Sequence, residues 1–210
     1  GVPVFSMVGY TNAGKSTLMN ALTDAGVYVA DKLFATLDPT TRKVTLPSGK
    51  EVLFSDTVGF IQKLPTMLIA AFRATLEEIL EADVLLHVVD SAHPNALEQI
   101  ETVEDTLAQI DMPRLPRILV LNKRDLLKGE ADEDIKVRFE DAGYENMVVV
   151  SARKKIGIEP LLILVEEVLQ KAMVALDIML PYSAGELIAL MHQIGIVETA
   201  DHQAGGVAMK

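Results

Sequence analysis

The chain has no cysteine and no tryptophan, and aromatic residues make up only 5% of its 210 residues. Without cysteine there is no disulfide framework, no thiolate metal site and no cysteine nucleophile. That absence fits a reducing compartment. Long apolar runs are also missing. The longest, around Val84–Val89 and Leu161–Val165, fall far short of the roughly 18–20 residues that span a bilayer. No signal peptide opens the chain: Gly1-Val2-Pro3 leads straight into an apolar run. With no initiator methionine, an excised fragment is expected. Lysine and arginine are wholly missing between Glu77 and Asp111, a stretch that holds ten carboxylates. The net charge of the chain is −11, so the remainder carries only −1. Such a face repels phosphate backbone and excludes a nucleic-acid-binding surface there. Its simplest reading is a solvated face.

What is present is a core. Half the residues are apolar, and a chain of this length buries roughly 70–75% of its unfolded surface. Strand-like and helix-like runs alternate. Pro3–Val8, Lys43–Leu46, Glu51–Ser55, Val84–Asp90, Arg117–Asn122 and Asn146–Val150 read as strands. Several are continuous Val/Leu runs, which suits a parallel sheet buried on both faces. Lys15–Ala25, Leu68–Glu81, Ala96–Ile110, Asp132–Ala142 and Ile158–Leu176 read as helices. The sum is an α/β fold with a mostly parallel six-stranded sheet flanked by helices.

Residues 1–178 are expected to form this domain. Beyond Pro181, Ser183-Ala184-Gly185-Glu186 reads as a capping box opening a short helix. Gly205–Lys210 resembles the start of a strand, so residues 179–210 read as the beginning of a C-terminal module cut short.

Gly9-Tyr10-Thr11-Asn12-Ala13-Gly14-Lys15-Ser16-Thr17 fits the phosphate-binding pattern G-x-x-x-x-G-K-[ST]. The glycines allow the backbone to wrap a phosphate closely. The loop amides and the helix that follows aim positive charge at the anion. Lys15 neutralises the β- and γ-phosphates, and the Ser16 hydroxyl suits Mg²⁺, a hard ion that prefers oxygen. Asp56-Thr57-Val58-Gly59 stands at a strand end. There a carboxylate reaches a Mg²⁺-bound water, and Gly59 frees its amide for the γ-phosphate.

Asn122-Lys123-Arg124-Asp125 ends a further strand. Guanine presents two donors on one edge, which the Asp125 carboxylate accepts; adenine offers no such pair. Lys123 lays its stem over the base, and Asn122 can bond the base and brace the phosphate loop. Ser151-Ala152-Arg153 follows the next strand, where the Ala152 amide can donate to guanine O6.

In this order, each at a strand end, the four motifs resemble a Ras-like P-loop GTPase domain. Leu33-Phe34-Ala35-Thr36-Leu37-Asp38-Pro39-Thr40, Phe60-Ile61-Gln62-Lys63-Leu64-Pro65 and Ala71–Glu78 narrow the likeness to the HflX family of ribosome-associated GTPases, over roughly residues 1–178. The resemblance implies that Thr36 closes over Mg²⁺ and the γ-phosphate, with Thr40 and Thr41 as rivals. It extends the nucleotide site to Phe34, Ala35, Leu37 and Asp38, the metal ligands to Ser16, Thr36 and Asp56, and the catalytic group to Lys15, Thr36 and Gly59. It implies GTP/GDP as bound nucleotide, the large ribosomal subunit as partner, and a cytoplasmic monomer. HflX-like proteins carry an N-terminal domain and helical linker ahead of the G domain; this sequence is expected to begin at the first G-domain strand.

Ras-like enzymes place glutamine after D-x-x-G; here Phe60 stands there, and Gln62 is a poor substitute. Arg42 and Arg73 neighbour the switches but suit surface roles. Slow intrinsic hydrolysis is therefore expected. A non-hydrolysing GTP-gated module and an ATPase are the rivals. In some GTPases resembling this one, an asparagine at the place of Asn12 helps hold K⁺; its alternative is to brace the loop. His87, inside a strand, reads as a hydrogen-bonded core histidine.

Overall fold

The computed structural model describes residues 2–25, 41–56, 79, 81–109, 115–172, 176–195 and 197–210. The chain packs as two units, Pro3–Leu169 and Gln170–Lys210, the second grouped with Gly1–Val2.

The larger unit is built on six strands: β1 (Val4–Gly9), β2 (Thr41–Thr45), β3 (Glu51–Asp56), β4 (Val84–Asp90), β5 (Arg117–Asn122) and β6 (Asn146–Val149). They lie in the order β2-β3-β1-β4-β5-β6. All neighbours pair parallel except β2 with β3. That hairpin turns at Leu46–Lys50, where the Gly49 amide donates to Leu46 O at 2.8 Å. Helices α1 (Lys15–Ala25), α2 (Ala96–Gln109), α3 (Asp132–Val137) and α4 (Ile158–Ala172) complete the described elements of the unit.

Period-two alternation decides what each strand feeds. From β4, Val84, Leu86 and Val88 enter one core with Phe5, Phe54, α1 residues Leu18 and Leu22, and α4 residues Leu161 and Val165. Leu85 turns to the other face, against Val103 and Leu107 of α2. Val89 joins Ile100 of α2 and Ile135 of α3 there. A strand sandwiched in this way has no solvent face, which is why β4 reads as an unbroken apolar run. Each fully buried Leu or Val contributes about 1.5–3 kcal/mol.

The sequence expectations for α1, β4 and β5 coincide with the observed bounds. One other needs correction. Asp132–Ala142 is not one helix: α3 stops at Val137, and a 3₁₀ turn covers Glu140–Ala142. Phe139 leaves helical geometry at φ −110°, ψ 6°, yet is buried with Ile135 in one core. Short helices tighten into 3₁₀ turns at low cost when packing asks for it. The expected helix Leu68–Glu81 lies outside the described residues apart from Ile79 and Glu81.

The smaller unit has a three-stranded antiparallel sheet, β7-β9-β8, from β7 (Ile178–Leu180), β8 (Ala200–Gln203) and β9 (Gly206–Met209). Helix α5 (Gly185–Ile194) belongs to the same unit. Leu180, Val207 and Met209 form its core, with Ile188 and Met191 of α5 packed on it. The expected boundary at 178/179 lies within β7 (Ile178–Leu180), and Leu169 is the last α4 residue in the large unit's core. The expected strand near the C-terminus is the central one of this sheet. The expected capping box does not form: the residue ahead of α5 is Ala184, and no side chain caps the helix.

Candidate functional site

The loop between β1 and α1 crosses the C-terminal edge of the sheet, where parallel α/β sheets place their ligands. Its geometry is unusual at two positions. Asn12 has φ 68° and Gly14 φ 99°, left-handed backbone that glycine adopts freely and asparagine tolerates. At Gly14 a Cβ would lie 2.3 Å from Asn122 Nδ2, and at Gly9 one would lie 2.4 Å from Val88 O. Both glycines are therefore demanded by close approach, at Gly14 by a side chain over a hundred residues away in sequence.

Lys15 opens α1 and is only 8% exposed. Burial lowers its pKa below the ordinary lysine value, and the Asp56 charge opposes the shift. A cation is thus held partly desolvated at a helix N-terminus, a site that favours an anion. Ser16 donates its hydroxyl to Asp56 Oδ2 at 3.1 Å. Asp56 Oδ1 is buried and makes no hydrogen bond. Buried carboxylate oxygens are seldom left so. One hydroxyl and one under-satisfied carboxylate oxygen side by side form a hard donor set that fits Mg²⁺.

The second half of the site is built on the ends of β4, β5 and β6. Asn122 is 2% exposed. Its Nδ2 donates to Ala13 O at 2.9 Å, and its Oδ1 accepts the Ala152 amide at 3.0 Å. One amide thus ties the phosphate loop to the 151–152 segment. The expected bracing role is observed. The Ala152 amide, expected to donate to guanine O6, donates here to Asn122 Oδ1.

Lys123 has left-handed backbone, φ 64° and ψ 32°, and leads into the 3₁₀ turn Arg124–Leu126. Its ammonium donates to Asp90 Oδ2 at 2.9 Å. Asp125 Oδ1 accepts the Ser151 hydroxyl at 2.7 Å, and Ser151 Oγ accepts the Lys154 amide at 3.1 Å. The hydroxyl therefore aims the carboxylate. Arg124 turns away to Asp132 Oδ1, Leu127 O and Glu130 O, which pins the turn from outside. Asn122 O accepts both the amide and the hydroxyl of Ser91.

Sequence reasoning missed Asp90, Ser91 and the orienting hydroxyl of Ser151. The available signal was position: Asp90 ends a strand next to the one that carries Asn122, and the two are register partners.

The expected residues Phe34, Ala35, Thr36, Leu37, Asp38, Thr57, Val58 and Gly59 lie outside the described residues, as do Thr40, Phe60, Gln62 and Arg73. Thr41 and Arg42 are in β2, where Arg42 Nη1 donates to Thr41 O at 3.0 Å. His87 is 1% exposed and lies away from the site in hydrogen-bond contact with Tyr144, Nδ1 to Oη 2.6 Å. Glu104 accepts from both Tyr144 and Arg117. The core-histidine reading holds.

A glycine-rich loop between β1 and α1, joined by one asparagine to the strand-end turn Asn122–Asp125, is the arrangement of a P-loop domain. A family model described as 50S ribosome-binding GTPase matches residues 4–123, and the chain belongs to that family. Its curated relatives include a GTPase HflX from Caldanaerobacter subterraneus subsp. tengcongensis, 45% identical over the whole of this chain and 46% of that protein. GTPase HflX from Escherichia coli is 43% identical over 94% of this chain and 46% of that protein. The HflX resemblance read from the motifs is thus borne out. The chain spans under half the length of these relatives. Among solved structures, a GTP-binding protein from Sulfolobus solfataricus in complex with GDP has a TM-score of 0.65 at 25% identity, covering 81% of this chain and 53% of that one. The FeoB G-domain from Methanococcus jannaschii has a TM-score of 0.55 at 25% identity, over 80% of this chain and 98% of that one.

Proposed function

We infer that this chain binds GTP with Mg²⁺ and hydrolyses it slowly to GDP and phosphate, as a nucleotide switch in an HflX-like protein. The observation that carries this reading is the two-sided Asn122 amide, which joins a phosphate loop to the 151–152 segment, whose Ser151 hydroxyl aims the Asp125 carboxylate that would accept both guanine donors. In this reading Gly9–Thr17 wrap the phosphates and Lys15 balances their charge. Ser16 and Asp56 hold the ion together with Thr36, and Phe34–Asp38 and Thr57–Gly59 complete the γ-phosphate side. Lys123, Asp125 and the Ser151–Arg153 segment form the base pocket. When bound, Mg²⁺ supplies charge neutralisation on the phosphate oxygens. K⁺ near Asn12 is a second cation of the same kind. The description of the matching family supports the large ribosomal subunit as partner; the protein acts in this reading as a cytoplasmic monomer. Among the described residues no helix is long and apolar enough to cross a membrane.

The test is single-turnover GTP hydrolysis by this chain, in KCl and in NaCl, with and without large ribosomal subunits. Slow turnover alone is expected, because Phe60 has no group to orient a water. Many turnovers per second from the isolated chain would refute that. Tight GTP binding with no hydrolysis under any condition would favour the non-hydrolysing module. Equal rates in the two salts would remove K⁺.

A further inference from the structure

Asp90 closes β4 at the C-terminal edge of the sheet, beside Asn122 on β5. Its two carboxylate oxygens have separate tasks. Oδ1 accepts the Ala92 amide at 3.1 Å, and Oδ2 accepts Lys123 Nζ at 2.9 Å. The side chains are 16% and 30% exposed, respectively. A charge-assisted bond in this half-buried setting is stronger than an ion pair on open surface. Lys123 is fixed at both ends, since its backbone is held in the left-handed region at φ 64°. Between those ends runs a four-carbon stem that is otherwise among the most freely rotating in proteins.

We propose that Asp90 is a positioning residue for guanine-nucleotide binding. By anchoring the Lys123 ammonium it lays the lysine stem down as a preformed platform for the face of the base. The proposal rests on the reading of Asn122–Asp125 as the base site. It goes further in separating two tasks: Asp125 reads the base edge and sets base choice, whereas Asp90 acts through the platform and sets affinity alone. Preorganisation of this kind raises affinity by removing an ordering cost at the moment of binding.

Asp90→Asn isolates the effect, because Asn keeps an oxygen for the Ala92 amide and replaces only the acceptor that faces Lys123. The experiment is calorimetric titration of the full chain with GDP and with XDP. Asp90→Asn is expected to raise the GDP Kd about tenfold, the scale of one charge-assisted bond, and to leave the GDP:XDP ratio unchanged. In a Lys123→Met background the same substitution should move the Kd less than about twofold, because the residue it acts through is gone. An unchanged GDP Kd, an equal factor in both backgrounds, or an altered base ratio would overturn the proposal. Asp90→Ser, whose hydroxyl also accepts the Ala92 amide, carries the same test should Asp90→Asn not fold. Asp125→Asn in the same assay guards the underlying reading, since it should switch preference from GDP to XDP. If it does not, the base-site reading fails; if it does and Asp90→Asn is silent, only the role of Asp90 falls.

Discussion

The two halves of the nucleotide site are finished to different degrees. On the base side, Asp125, Lys123 and Asn122 each have a protein partner, and the pocket is held by its own hydrogen bonds. On the phosphate side, Lys15 is buried with its charge opposed by desolvation, and Asp56 keeps an oxygen with no bond. One half is rigid before the ligand arrives; the other carries a deficit that a nucleotide and its cation remove. Under the function proposed above, recognising one base while responding to the number of phosphates, the site profits from that asymmetry. Recognition needs preorganisation, whereas a switch needs a state whose energy changes with what is bound.

The most severe way to break the contrast is to cut the link between the halves. Gly14→Ala forces a Cβ into Asn122 Nδ2 and into left-handed backbone. It should cost about 2 kcal/mol of stability and, with the loop amides displaced, more than about a hundredfold in GDP affinity. Calorimetric titration and chemical denaturation measure the two effects together; retained affinity would show that the cradle does not depend on Asn122.

A substitution confined to the phosphate side should split the two readouts. Lys15→Met removes a partly desolvated cation, so the nucleotide-free chain should gain about 1 kcal/mol while nucleotide binding is lost. A denaturant midpoint that falls instead would mean that the Asp56 attraction outweighs burial, and the deficit would not exist.

The smallest effect expected lies outside both halves. Burial holds the His87 imidazole below its usual pKa, with Glu104 opposing. As pH falls through about 6.5, the unfolded chain takes up a proton that the folded chain refuses. Stability should therefore fall with acidification there, by at most about 1.4 kcal/mol per pH unit. His87→Gln should flatten that stretch of the stability–pH curve without altering GDP affinity at pH 7.5. An unchanged slope would assign the proton to another group.

Much of this was legible in the sequence because the signals are local. A Val/Leu run such as Val84–Val89 states its own burial on two faces, and Gly14-Lys15-Ser16 states its own backbone and charge. What was not legible depends on partners distant in the chain. Nothing near Ala152 reveals that its amide is taken by Asn122, and nothing near Asp90 reveals Lys123. Asp132–Ala142 misled because helical spacing was satisfied by Ile135 and Phe139 even though the backbone between them leaves the helix.

The Asn122 brace has a consequence for the order in which the protein is made. The phosphate-loop motif is complete by Thr17, yet the side chain that holds the loop in shape lies 109 residues downstream of Ala13, and its second bond waits for Ala152. Domains fold as units as they emerge during translation. A nascent chain that displays the whole G-x-x-x-x-G-K-S signature is therefore still blind to nucleotide. It acquires its ligand late, in one step, only after β5 and the 151–152 segment have left the exit tunnel.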